Sequence, residues 1–333
     1  MNNRVYIIAE AGVNHNGSLD LALKLCDAAR DAGVDAVKFQ TWKTEKIITK
    51  STSKADYQTV NTGIEESQFE MLKALELTYN DFVAIQRHCH KIGIEFLSTP
   101  DEADSLDFLI SIGIPIIKVG SGEITNIPYL RYIGSKKVPV IISTGMCYLG
   151  DIERACNILL ECGAPSVDVL HCTTNYPCPM DEVNLLAMKT IKNALGCKVG
   201  YSDHTLGIEV ATAAVALGAE IIEKHFTLDK SMEGPDHAAS IDPIELKAMV
   251  VAIRNIEKAL GDGIKHPNKS EQIISSVVLK RIIAATHISK GDTLTQQNIT
   301  VKRASEGISA SLWDIIIGTT ASKNFDIDEP IIL

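Results

Sequence analysis

The sequence has no C-x-x-C pair, no long apolar run and no long basic run. Each absence narrows what the chain can be. Its eight cysteines are scattered, and Cys172 and Cys178, six apart, match no metal-site spacing. The thiols therefore read as reduced, buried spectators in a cytoplasmic protein. No stretch approaches the roughly 20 apolar residues that a membrane span requires. The apolar run near the start, Val5 to Ile8, is too short for the hydrophobic region of a signal peptide. With a formal charge of −10 and no basic cluster, neither nucleic acid nor an anionic membrane surface is an expected partner. An anionic substrate would have to be met by lysines gathered locally. G-x-G-x-x-G is also missing after the first apolar segment, where the turn reads AGVNHNGS. That weakens an open, doubly wound dinucleotide-binding sheet.

What is present is a repeated phrase. The 333 residues, 45% hydrophobic and 22% charged, suffice for one large domain or two smaller ones. DAGVDAVKFQ, KIGIEFLSTP, SIGIPIIKVGS, ECGAPSVDVLHC and ALGAEIIEKHF each end a helical pattern, place a glycine, and open a short apolar strand. Gly33, Gly93, Gly113, Gly163 and Gly218 suit the left-handed residue that follows a helix. VYIIAE, VPVIIST and CKVGYSD complete eight strands, near residues 6, 37, 96, 117, 141, 169, 200 and 222. Apolar strands without strict alternation, separated by helices, predict a parallel α/β fold, a (β/α)8 TIM barrel. The first helix shows the local logic. Ser18 caps it, Leu19, Ala22, Leu23, Cys26 and Ala29 form an inward stripe, and Gly33 stops it. Residues 41–79 are long for a barrel loop. They predict a short helix that covers the barrel mouth. The barrel is expected over residues 1–262 and a polar linker over 263–277. A small β-rich module spans 278–333, too small to stand easily alone.

Barrel chemistry sits at the C-terminal strand ends. In order these carry Glu10; Lys38 and Gln40; Ser98 and Thr99; Lys118, Ser121 and Glu123; Ser143 and Thr144; His171; Ser202 and His204; and Glu223 and His225. Taken singly, a serine here bonds the next loop, a histidine packs and a lysine is solvated. Taken together, two lysines, His204, His225 and three glutamates converging on one mouth are costly unless used. Lys38 and Lys118 with nearby hydroxyls suit a phosphate and a carboxylate. His204 and His225, on neighbouring strands, suit a divalent metal with open positions, manganese or magnesium rather than a closed zinc site. Lys224 alternates away from them.

At these motifs the sequence resembles the sialic acid synthase family. AEAGVNHNGS, VKFQT, KVGSGEITNIPYL, ISTGM, LHCTTNYP, GYSDHTLG, IEKHFTLDKSMEGPDHAAS and ITVKR carry the resemblance in order, from residue 6 to beyond 318. It implies a barrel followed by an antifreeze-like (SAF) domain, in a domain-swapped homodimer. The implied reaction joins phosphoenolpyruvate to an N-acetylmannosamine-type aldose. A nine-carbon 2-keto acid forms and phosphate is released by C–O cleavage, with a cation on His204 and His225. The resemblance places Lys38, Gln40, Thr99, Lys118, Ser121, Ser143 and Ser202 around phosphoenolpyruvate. Glu10, Tyr176, Glu223 and Asp236 fall to the sugar and intermediate, Glu123 to proton handling. Arg303 would reach in from the partner's C-terminal domain. EGPDHAAS, GEITN and TLGIEV are nearest to synthases of N,N'-diacetyllegionaminate, though N-acetylneuraminate synthases share much of them. Asp101 stands where the family pattern has an aromatic, and Ala304 and Ser305 replace a Pro-Gly pair. The alternatives are a Schiff-base aldolase using Lys118 or Lys38, a 3-deoxy-octulosonate phosphate synthase, and a catalytically silent barrel.

Overall fold

The computed structural model describes residues 4–54 and 67–332 and contains two compact units, Met1–Gly261 and Asp262–Leu333. The first holds eight parallel strands: β1 (Tyr6–Gly12), β2 (Ala36–Thr41), β3 (Glu95–Pro100), β4 (Ile117–Val119), β5 (Val140–Ser143), β6 (Val167–His171), β7 (Val199–Asp203) and β8 (Ile221–His225). Their hydrogen-bonded order is β3-β2-β1-β8-β7-β6-β5-β4. The two end strands pack against each other, so the sheet curls into a barrel. Among the described residues no ladder joins β3 to β4. Helices cover the outside, each strand delivering the chain to a helix and back. The five connector glycines all have positive φ, between 77° and 117°, a region closed to most side chains.

The first helix, Leu19–Ala32, is capped as expected, with Ser18 accepting from the Leu21 N–H. Its buried stripe is Ala22, Leu25, Cys26, Ala29 and Ala32. Leu25, not Leu23, carries it; Leu19 and Leu23 are only partly buried, because the helix turns its 22/25/29 line to the sheet. In the long loop, helices occupy Thr44–Ile47 and Gln68–Leu75. The expected cover over the mouth falls partly on residues 55–66, outside the described residues.

Strand alternation sorts the side chains into two environments. Ile7, Val37, Phe96, Val169, Tyr201 and Ile222 face the helices and form the main core. Ile8, Ala36, Leu97, Ile141, Leu170 and Ile221 face inward and plug the barrel. At Gly200 a Cβ would sit 2.3 Å from the Ile221 carbonyl oxygen, so β7 has no side chain in that plug. Two residues further along each strand the interior turns polar: Glu10, Lys38, Thr99, Lys118, Ser143, Ser202 and Glu223, all buried. The apolar plug is the floor on which the site stands.

The second unit pairs β9 (Lys280–Ala284) antiparallel to β10 (Ile299–Arg303). Ile282, Ile288, Leu294, Ile299, Phe325 and Ile331 make its core. The span read as linker is half helical: Lys269–Val278 forms a helix whose Asn268 accepts from the Glu271 N–H at 3.0 Å. That Asn-x-x-Glu capping box, hidden behind Pro267, is the signal the linker reading passed over.

Candidate active site

Lys38 is the hub of the polar layer. Its Nζ lies 2.5 Å from Glu10 Oε2, 3.6 Å from Glu223 Oε2 and 3.2 Å from Thr99 Oγ1. Lys118 Nζ donates to Ser143 Oγ at 2.7 Å and stands 3.4 Å from Glu223 Oε1. Ser202 Oγ donates to Glu223 Oε1 at 2.9 Å. Gln40 Nε2 reaches Glu10 Oε1 at 3.4 Å. These side chains come from β1, β2, β3, β4, β5, β7 and β8, so only the closed sheet brings them together.

Burial and mutual charge set their protonation. Burial pushes the Glu10 carboxyl up to about 7, against the pull of Lys38 and with Glu223 adding to the rise. Burial also works against ionised Glu223, but Lys118, Lys38 and the Ser202 hydroxyl outweigh it and hold its carboxyl near 2. Desolvation disfavours the charged Lys38 ammonium, yet Glu10 and Glu223 together raise its pKa. Lys118 is lowered, chiefly by burial, with Lys38 repelling it. The two lysines are thus shifted in opposite directions, Lys38 up by its two carboxylates and Lys118 down by burial.

Above this layer His204 and His225 face each other at a ring-centroid distance of 5.6 Å. The Tyr176 ring lies 4.1 Å from His204 and edge-on to His225. His204 Nδ1 donates to the Thr173 carbonyl at 2.7 Å, which leaves its Nε2 with the lone pair. His225 Nδ1 is buried and makes no hydrogen bond. Burial lowers both pKa values, that of His225 furthest, with His204 and Lys38 adding to it. Two neutral imidazoles, one with an orphaned nitrogen, are the donor set a divalent cation takes. Among the described residues no third His, Cys, Asp or Glu closes a cluster around them. The residues fit a cation whose remaining positions belong to substrate or water.

A cavity of about 200 Å³ is lined by Glu10, Lys38, Gln40, Thr99, Lys118, Ser121, Ser143, Tyr176, Ser202, His204, Glu223 and His225. Asp236 lines a smaller one, about 120 Å³, sharing Gln40, Tyr176 and His225 with the first and walled by Met71 and Leu75. Its Oδ2 is 4.0 Å from His225 Nδ1, and burial raises its carboxyl to about 6. The structure does not bring Glu123 into either lining. Glu123 is half-buried on a short 3-10 turn, and its Oε2 accepts from Asn126 Nδ2 at 2.6 Å. Arg303 ends β10 in the second unit, exposed. His171 faces the helices, its Nε2 bonded to the Val183 carbonyl at 2.9 Å. The Gly145 N–H donates to Ser121 Oγ at 2.9 Å.

Of the lining side chains, Met146 and Thr174 went unread, and Asp101 was noted only as a departure from the family pattern. Asp101 lies two residues past Thr99 and so on the same face, a signal within reach of strand alternation. Burial, with Glu123 close by, raises its carboxyl to about 7. Thr174 is fixed by close approach: a Cβ on Gly145 would fall 1.9 Å from its Oγ1.

The chain matches the NeuB family over residues 25–265 and a SAF domain over residues 281–332. It is 49% identical to the N,N'-diacetyllegionaminic acid synthase of Campylobacter jejuni, over 98% of both chains. It is 46% identical to the synthase of the same name from Legionella pneumophila, over 96% of this chain and 91% of that one. A crystal structure of N-acetylneuraminic acid synthetase from Leptospira borgpetersenii, in complex with citrate, superposes with a TM-score of 0.72 at 37% identity. That match covers 82% of this chain and 90% of the other.

Proposed function

Because the chain belongs to the NeuB family, we propose that it condenses phosphoenolpyruvate with 2,4-diacetamido-2,4,6-trideoxymannose to give N,N'-diacetyllegionaminate and phosphate. N-acetylmannosamine, giving N-acetylneuraminate, is the alternative acceptor. The observation that carries this reading is the stack of His204 and His225 above the buried Lys38 and Lys118. The two nearly full-length relatives at 49% and 46% support the legionaminate acceptor over the neuraminate one.

Lys38 and Lys118, with Thr99, Ser143 and Ser202, hold the donor's phosphate and carboxylate. Ser121 adds a hydroxyl at the mouth. Gln40, Tyr176, Glu223 and Asp236 orient the open-chain sugar. Mn2+ or Mg2+, held by His204 and His225, would supply Lewis acidity at the aldehyde oxygen. C3 of the donor attacks the aldehyde carbon, whose oxygen takes a proton and becomes a hydroxyl. Water then adds to C2 and gives up a proton. The C2–O bond to phosphate breaks, the remaining C2 hydroxyl passes its proton to the departing phosphate, and C2 becomes the ketone. Glu10 is the better placed proton acceptor, since it lines the cavity with a carboxyl near 7 while Glu123 is tied to Asn126. Glu123 acts through its charge on Asp101. In the homodimer we propose, Arg303 completes the sugar site of the partner barrel.

Phosphate release across a panel of mannosamine derivatives, with mass measurement of the product, tests the reaction. The diacetamido-trideoxy sugar should be the best acceptor, and EDTA should abolish turnover. The depressed Lys118 amine also suits a Schiff base. Borohydride-trapped adduct together with EDTA-resistant activity would replace this mechanism with that one.

A further inference from the structure

We infer that the buried Asp203–Lys224 ion pair is a positioning device that aims His204 and His225 into the site. The inference rests on the reading of those imidazoles as cation ligands.

The pair lies on the helix-facing side of the sheet, where hydrocarbon is the rule. Lys224 Nζ donates to Asp203 Oδ2 at 2.7 Å, with side-chain exposures of 1% and 0%. The same Nζ donates to the Thr205 carbonyl at 2.7 Å. Asp203 Oδ1 accepts from the Thr205 N–H at 3.0 Å and from its hydroxyl at 2.8 Å. Thr205 therefore has its N–H, its carbonyl and its hydroxyl all committed to the pair. His204 sits between Asp203 and Thr205, and its own carbonyl accepts from the Cys178 N–H at 2.8 Å. Lys224 sits between Glu223 and His225. The pair joins β7 to β8 at Asp203↔Lys224, one step beyond Ser202↔Glu223.

Stability alone does not account for it. Replacing a buried ion pair with apolar side chains of similar volume is often neutral or stabilising. The neighbours here, Tyr201, Ile222 and Phe226, belong to an apolar core that would accept such a replacement. What hydrocarbon would not supply is the set of directed bonds that stops β7 and turns the chain at residue 204. Outer partners of metal-binding histidines characteristically change affinity by about 10- to 100-fold when lost.

The test compares the full-length wild type with the Asp203→Leu/Lys224→Met double variant. Three quantities are measured: melting temperature, Co2+ affinity with its visible spectrum, and the His204 Nδ1–H proton resonance without metal. The expected result is a folded protein with a lowered melting temperature, because the buried Thr205 N–H, carbonyl and hydroxyl lose their partners. Co2+ affinity should weaken by about 10- to 100-fold, with an altered spectrum. The resonance should broaden or vanish. A folded double variant with Co2+ affinity and resonance like the wild type overturns the inference. So does a double variant that fails to fold, since the pair would then serve the fold itself. If the wild type binds no Co2+, the cation reading falls, and the metal-free resonance still decides whether the pair positions His204.

Discussion

At the scale of single residues, the site is a set of groups whose ionisation the fold has redirected. His225 is the sharpest case, a buried imidazole held neutral with one nitrogen unsatisfied. His225→Ala removes a ring from the top of the barrel and leaves the apolar plug beneath it intact. It should cost at least about 100-fold in metal-dependent turnover and shift the melting temperature by only a few degrees. Turnover close to that of the wild type would remove His225 as a ligand. Asp101 makes a prediction about pH. Its carboxyl is raised to about 7 in the folded chain from 3.8, so the folded state binds the proton more tightly than the unfolded one. The group costs nothing below pH 4. Its cost grows as pH rises toward 7 and is complete above that, on the order of a few kcal/mol. Asp101→Asn should match the wild type in stability near pH 3 and exceed it at pH 7.5. An equal difference at the two pH values refutes the assignment.

At the scale of elements, the strand ends and the loops that follow them do the placing. Gly145, just after β5, lets the chain pass within contact of Thr174 from the loop after β6. Gly145→Ala drives a Cβ into that hydroxyl. It should destabilise by about 1–3 kcal/mol and lower kcat/KM for both substrates; thermal melting and steady-state kinetics read this directly. Elements were also where the sequence was most legible. The helix–glycine–strand phrase located five of eight strands, because a left-handed residue leaves a glycine behind. Residues two apart, Lys38 with Gln40 and His204 with Ser202, showed which side chains share the interior. The rest depended on distances that no periodicity encodes. Alternation places Lys224 and Asp203 outside the barrel but does not say that helices bury them as a pair. His171 stands at a strand end like the others, yet its odd position in the alternation turns it to the helices. Leu23 and Leu25 suit a helical stripe equally well until the helix docks.

At the scale of the whole molecule, the proposed dimer makes each site the joint product of two chains. His225→Ala and Arg303→Ala should each be nearly inactive as homodimers. Mixed subunits would pair an intact barrel with an intact Arg303 in one of their two sites. Unfolding and refolding the two variants together should therefore restore about a quarter of wild-type activity, by random pairing of subunits. No restoration, with mixed dimers shown to form, would place Arg303 outside the partner's site.

Among the described residues no backbone ladder joins β3 to β4, although the two strands pack against each other. The ring therefore carries one seam without cross-strand amide bonds, running up to the rim near Asp101 and Lys118. Deuterium uptake should be faster at the β3 and β4 amides that face this seam than at amides paired between other strands.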